Sequence, residues 1–252
     1  MADLDRRYAQ GTTVGRTDVG VIDQGLRAYM IRVYNYMASG VAITGLVAYM
    51  IYAMSVTTGA GGELALTPFG SFMFASAFKW VVIFAPLALV FFISARIGSM
   101  SLQAAQISFW AFAALMGASI SSIFLVYTGE SMARVFFITA AAFGGLSLWG
   151  YTTNRDLSGW GSFLFMGLIG IIIASLVNLF IGSTALQFAV SVIGVLIFAG
   201  LTAYDTQQIK EMYNANEDGS ITGRKAVMGA LRLYLDFINL FMLLLQLFGN
   251  RR

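Results

Sequence analysis

The 252-residue sequence has no cysteine and no histidine. The first absence removes disulfides, thiolate nucleophiles and sulfur ligands for metals or haem; the second removes imidazole bases and His-ligated zinc. Chemistry is left to carboxylates, Lys, Tyr and Ser. Proline occurs only at Pro68 and Pro86, and Pro86 falls inside an apolar block, where it is expected to kink a helix. Charge is the other scarcity: Asp, Glu, Lys and Arg make up 11% of the chain, against about a quarter in a soluble domain.

Apolar residues fill that space. They account for 58% of the chain, and the mean hydropathy is +0.78. Alternating strand-like runs are few and apolar blocks of roughly twenty residues are many, so the reading is an all-α integral membrane protein rather than a barrel. The net charge of +3 reflects basic loops, and no nucleic-acid signature is present.

Residues 1–33 read as a polar tail without the compact apolar core of a secretory signal, and 34–250 as the membrane domain. The tail ends in an interfacial stretch, where Tyr29, Tyr34 and Tyr36 are expected in an aromatic belt and Arg27 and Arg32 snorkel. Seven spans are expected, near residues 34–56, 72–95, 105–127, 133–150, 159–181, 186–213 and 226–249, the fourth short and rich in glycine. With the N-terminus inside, ten Lys and Arg fall on the inner side (Arg6, Arg7, Arg16, Arg27, Arg32, Arg96, Arg155, Lys210, Arg224 and Lys225). The outer side holds Arg134, Arg251 and Arg252. The positive-inside rule therefore predicts a cytoplasmic N-terminus, an outer C-terminus and a plasma or inner membrane location.

The sharpest clue is the last pair of spans. Each carries one acid, Asp205 in "LTAYDTQQIK" and Asp236 in "LRLYLDFINLF", separated by a polar turn that makes the two helices antiparallel neighbours. Counting from the turn puts the acids ~12 and ~15 Å deep at 1.5 Å per residue, so they are expected at matching depth. A charged acid in mid-membrane costs on the order of 2.5–3.5 kcal/mol on insertion scales, so such a residue faces an interior and finds a partner. Two like charges close together do not both ionise cheaply, and the pair is expected to share a proton.

Arg232, Asp236, Asn239, Leu243, Gln246 and Asn250 recur at spacings of three and four, which is one helical face. Thr202, Asp205 and Gln208 repeat every three residues on the preceding helix. Asn239, Gln246, Thr202 and Gln208 are thus expected to line an inward-facing path. Arg232, four residues before Asp236, is positioned to pair with it and turn a two-acid switch into a triad. The alternative for the acids is a buried pair that only fixes helix register.

Elsewhere the bland readings prevail. Lys79 reads as a snorkelling interface residue and Arg96 as a positive-inside anchor that can also latch towards the acids. The "TGAGGELAL" segment lacks the Lys-Ser/Thr ending of a phosphate-binding loop and reads as a connector. Gly144, Gly145, Gly167, Gly170, Gly194 and Gly200 are expected to permit close helix packing.

"AYDTQQIK" and "ALRLYLDFINLFMLLLQLFG" together resemble the C-terminal signature of the Bax inhibitor-one family, in its bacterial form. The resemblance implies seven helices with the last one central and wrapped by the other six. It also implies a pH-sensitive calcium leak gated by a di-aspartyl pair, which maps onto Asp205 and Asp236, and an arginine that maps onto Arg96. Arg232 has no counterpart in that gating pair. Some bacterial relatives restrain a membrane-bound ATP-dependent protease.

The expected function is therefore a proton-regulated cation leak, with calcium held weakly and transiently by Asp205 and Asp236 and no resident cofactor. The partners expected are the lipid bilayer and calcium. The alternative is a regulatory membrane protein acting on such a protease. An intramembrane aspartyl protease is the remote third, because the Gly-x-Gly-Asp and Pro-Ala-Leu motifs are missing, and the chain is read as not an enzyme.

Overall fold

The computed structural model describes residues 2–58 and 64–252, with side chains described from residue 24 onward. Buried in hydrocarbon, an unpaired backbone N–H or C=O costs several kcal/mol, so the apolar blocks satisfy their own backbones as helices. Among the described residues, seven helices are long and apolar enough to cross a membrane. They are α1 (Ala2–Ser55), α2 (Phe78–Arg96), α3 (Leu102–Ile120, resuming over Ile123–Val126), α4 (Gly129–Thr152), α5 (Gly161–Ile181), α6 (Thr184–Glu211) and α7 (Gly219–Phe248). A short hairpin, β1 (Val56–Thr58) with β2 (Leu64–Leu66), pairs antiparallel between α1 and a π-helical turn at Ser71–Ala75.

Polar residues set the boundaries. Ser101, Thr128 and Ser183 cap α3, α4 and α6 by accepting backbone N–H bonds from Ala104, Ser131 and Leu186. Asp218 caps α7 through the Ser220 N–H. Helix α5 ends on Gly182 at φ 65°, a left-handed position suited to glycine, and α6 begins at once.

The helices are not equally sheltered. Two thirds of the α7 span is buried (67%), against 11% for α2 and for α5. Helices α1, α3, α4 and α6 pack against α7, while α2 packs chiefly on α3 and α5 on α6. Tyr234, at the middle of α7, meets Phe109 and Phe112 edge-on at 5.9 and 5.5 Å. Phe237 does the same with Phe136 and Phe143, both at 5.6 Å. Large apolar side chains on the outside, such as Phe137, Leu179 and Phe180, are what a lipid-facing surface requires.

Between helices, hydroxyls supply the specific links. The Thr44 hydroxyl is directed at the Gly40 and Ala113 carbonyls, leaving its lone pairs to accept from the Tyr234 O–H at 2.6 Å. Tyr34, Ser147 and Thr206 form a chain across α1, α4 and α6, at 2.7 and 2.8 Å. Gln207 pins the α4–α5 loop by accepting from the Leu157 N–H and donating to the Arg155 carbonyl, both at 2.8 Å. In that loop, the backbone and side chain of Ser158 hold the Asp156 carboxyl below its usual range.

Several boundaries differ from the sequence expectation. The first span is continuous with the chain before it, since Tyr29, Met30 and Val33 are already buried in the core. The domain division at 33/34 therefore falls inside α1; the side chains of 1–23 lie outside the described residues. Tyr29, Tyr34 and Tyr36 do not form a belt. Tyr29 packs at a tilt on Tyr213, Tyr34 bonds Ser147, and Tyr36 accepts from Gln106 Nε2. The fourth span is not short but 24 residues, because Thr128 starts it five residues earlier than its apolar run. The glycine-rich connector falls partly outside the described residues, and its flanks pair as β1 and β2.

Candidate functional site

A cavity of about 1190 Å³ lies between α2, α5, α6 and α7. It exists because α2 and α5 lean on their sequence neighbours rather than on α7. Its α7 side is formed by Arg232, Leu235, Asp236, Asn239, Met242, Leu243 and Gln246, the polar stripe with its apolar flanks. Five of the six stripe residues read from the sequence therefore face one space. Asn250 does not, because its backbone is engaged with Thr128 and Ser131 at the far end of the bundle.

Helix α6 contributes Phe198, Leu201, Tyr204 and Asp205. The side chains of Asp205 and Asp236 line the same wall close enough to act on each other, and the charge of Arg232 acts on both. Asp236 is 4% exposed, and its Oδ2 atom has no partner.

The register of α6 against α7 explains how the acids meet. Ser191 Oγ donates to Gln246 Oε1 at 2.9 Å, Leu243 lies over Gly194, Ile209 over Gly229, and Lys225 Nζ donates to the Met212 carbonyl at 3.0 Å. These pairs put Asp205 level with Arg232, and Asp236 level with Leu201. The acids are thus not at equal depth but about one turn, ~6 Å, apart along the axis. Helix side chains lean towards their own N-termini, and in an antiparallel pair that leans Asp205 and Asp236 towards each other. The sequence count missed this because α6 ends at Glu211, two residues short of the 213 expected, while residues 225 and 226 of α7 do lie level with that end.

The remaining candidates divide. Asn239 lines the cavity; its Nδ2 donates to the Leu235 carbonyl at 2.8 Å, leaving Oδ1 as an acceptor. Gln246 lines it too, tied to Ser191. Thr202 does not: a three-residue step turns 60° short of a full circle, and its buried hydroxyl donates back to the Phe198 carbonyl of its own helix. Gln208 lies one turn beyond the cavity and donates to Glu211.

Two cations behave differently from expectation. Arg232 is four residues from Asp236, yet among the described residues it makes neither a hydrogen bond nor an ion pair within 4.0 Å. The expected triad is thus a carboxyl pair with a cation nearby. Arg96 is exposed at the end of α2 and makes no side-chain bond with the acids. Leu87 and Val90 are the α2 residues that line the cavity, and Arg96, six positions on from Val90, points well off that face.

Lining residues that the sequence reading did not single out are Tyr204, Ser158, Ser162 and Ser175. Single hydroxyls within apolar helices carry no periodic signal. Among the described residues, no three carboxylates cluster as a tight metal site would need.

The family profile described as "Inhibitor of apoptosis-promoting Bax1" matches residues 26–252 of this sequence. An uncharacterised protein of Rickettsia prowazekii is 48% identical over 230 residues, covering 91% of this chain and 92% of its own. One from Caulobacter vibrioides is 46% identical over 255 residues and covers both chains completely. The inner membrane protein YbhL of Escherichia coli K12 is 48% identical over 230 residues, covering 90% of this chain and 94% of its own.

Proposed function

The chain belongs to the Bax inhibitor-one family, and from that premise and the geometry of its acids we propose that it is a proton-regulated cation leak, with calcium as cargo, in the bacterial inner membrane. One observation carries the reading: Asp205 and Asp236 meet across α6 and α7 at the wall of a large cavity, with a buried Asp236 oxygen left without a partner.

With one proton between them, the carboxyls bond to each other and hold α6 against α7. With none, two unit charges ~4 Å apart repel by on the order of 4 kcal/mol at an effective dielectric constant near 20. That is comparable to the net worth of several hydrogen bonds and acts to separate the helices. The freed carboxylate oxygens and Asn239 Oδ1 then offer hard ligands to a passing cation. They fall short of the ~6–8 oxygens of a tight calcium site, which suits passage rather than storage. Arg232, level with Asp205, opposes a second cation there. The basic loops orient the α6–α7 turn towards the cytoplasm, so the acids regulate the inner end.

The test is calcium flux into vesicles containing the purified protein, measured from pH 6 to pH 8. Flux that rises with pH, and that Asp205→Asn or Asp236→Asn uncouples from pH, is the expected result. Absence of flux across the range would overturn the reading and leave the regulation of a membrane-bound protease as the function to pursue.

A further inference from the structure

The cavity has two unlike walls. On α7 it presents the polar stripe, whereas on α5 it presents Phe165, Leu168, Ile172, Leu176 and Leu179, and on α2 Leu87 and Val90. Phe165, Ile172, Leu176 and Leu179 are each more than half exposed, so the cavity opens sideways between α2 and α5 onto the lipid-facing surface. A water-filled path for ions alone does not call for such a wall. Its length does have a match: from Arg232 to Gln246 it runs ~21 Å along α7 at 1.5 Å per residue, somewhat more than the ~15 Å of hydrocarbon in one leaflet.

Charge marks one end. At the level of the α6–α7 turn the cavity is bounded by Arg232, Tyr204, Ser158 and Ser162. Arg232 is the one cation lining it, and its guanidinium is unengaged among the described residues. The other titratable groups that line it are Asp205, level with Arg232, Asp236, about one turn farther in, and Tyr204; α2 and α5 contribute no charged side chain. Asp205 sits about 7 residues, or ~11 Å, from the midpoint of α6 towards the turn. Arg232, level with it, therefore stands near the edge of the hydrocarbon, ~15 Å from its centre, where lipid phosphates are within reach of a guanidinium.

We propose that this cavity binds one phospholipid from the leaflet on the side of the α6–α7 turn, its phosphodiester held by Arg232 with Ser158 and Ser162, and one acyl chain lying along the α5 wall. A planar guanidinium suits a phosphodiester's paired oxygens. The chain fills apolar space that water wets poorly. This inference stands on the cavity's shape and on Arg232, and it holds whether or not ions pass.

Native mass spectrometry of the detergent-purified full chain reads the occupancy directly, with added phosphatidylglycerol and phosphatidylethanolamine as probes. One phospholipid per chain is expected to persist after annular lipid is stripped. Arg232→Gln should lower its occupancy at least about fivefold, the loss of one charge-assisted bond, and Arg232→Lys should restore part of it. Ser175→Trp, which fills the middle of the cavity, should exclude the lipid while leaving Arg232 in place, and gives a second route if Arg232→Gln does not fold. A diazirine-bearing acyl chain should label α5 peptides in the wild type and lose that labelling in Ser175→Trp. Retention that neither substitution changes, or labelling spread evenly over the lipid-facing helices, would overturn the proposal. So would complete displacement by excess inorganic phosphate, which would make the site one for a free anion.

Discussion

Thr44 on α1 and Tyr234 on α7 share a 2.6 Å hydrogen bond across 190 positions of sequence, where the first helix crosses the last. Both residues are buried, and the two hydroxyls are not equivalent. Thr44 has the Gly40 and Ala113 carbonyls as other partners, whereas Tyr234 has only Thr44. Tyr234→Phe should therefore cost about 1 kcal/mol, one net hydrogen bond. Thr44→Val should cost more, about 1–3 kcal/mol, because it strands a buried phenol. Thermal unfolding of the two variants in one detergent checks the order; equal shifts would refute it.

Glycines at helix contacts make a sharper comparison. A Cβ at Gly150 would collide with the Ala203 carbonyl, and one at Gly117 would stand 2.6 Å from the Thr44 carbonyl, so backbone opposes backbone and neither can yield by rotating a side chain. Gly150→Ala and Gly117→Ala should each destabilise by about 1–3 kcal/mol, the usual cost of overpacking. Gly144→Ala meets open space and should be neutral or stabilise by up to ~1 kcal/mol. The same melting assay separates the three.

The cap of α7 should carry an acid dependence. Asp218 accepts from the backbone N–H and the hydroxyl of Ser220, which hold its carboxyl below the ordinary range. A depressed folded value means that the contribution is complete above the unfolded value, about 3.9, and is lost as pH falls through the folded one. Protection of the Ser220 amide, its hydrogen-exchange rate taken relative to the intrinsic rate at the same pH, should be present at neutral pH and fall away in acid. Asp218→Ala should lack that protection at both, and protection in the wild type that does not change with pH would contradict the assignment.

The loop pinned by Gln207 lies beside the cavity mouth. Gln207→Glu keeps the acceptor for the Leu157 N–H but loses the donor to the Arg155 carbonyl. Proteolysis between residues 153 and 158 should become several-fold faster, consistent with losing about 1 kcal/mol of local stability. An unchanged cleavage rate would show that the loop is held by other contacts.

Much of this was legible in the amino-acid order. The number and sequence of spans follow from long apolar blocks, and the cavity-lining stripe on α7 follows from Arg232, Asp236, Asn239, Leu243 and Gln246 at helical spacing. What escaped depends on rotation and register. Thr202 shares the three-residue repeat of Asp205 but turns away, and the depth of the acids depends on where α6 ends against α7. The capping aspartate and glycine at 218 and 219 look like turn residues until the helix they start is seen. Of the glycines singled out as contact points, Gly167, Gly194 and Gly200 do touch a neighbouring helix, while Gly144, Gly145 and Gly170 face open space. The six are alike in sequence, and only geometry tells the two sets apart. The Tyr34, Ser147 and Thr206 chain had no signal at all, being three neutral hydroxyls on three helices.

The shelter around α7 has a bearing on how the protein is made. This helix carries Arg232, Asp236 and Asn239 through the bilayer and is the one least suited to meet lipid alone. It also leaves the ribosome after α1, α3, α4 and α6, the four helices it packs against. Synthesis order thus supplies a half-built cradle before the costly segment reaches the translocon, and a circular permutant that emits α7 first should insert poorly for that reason alone.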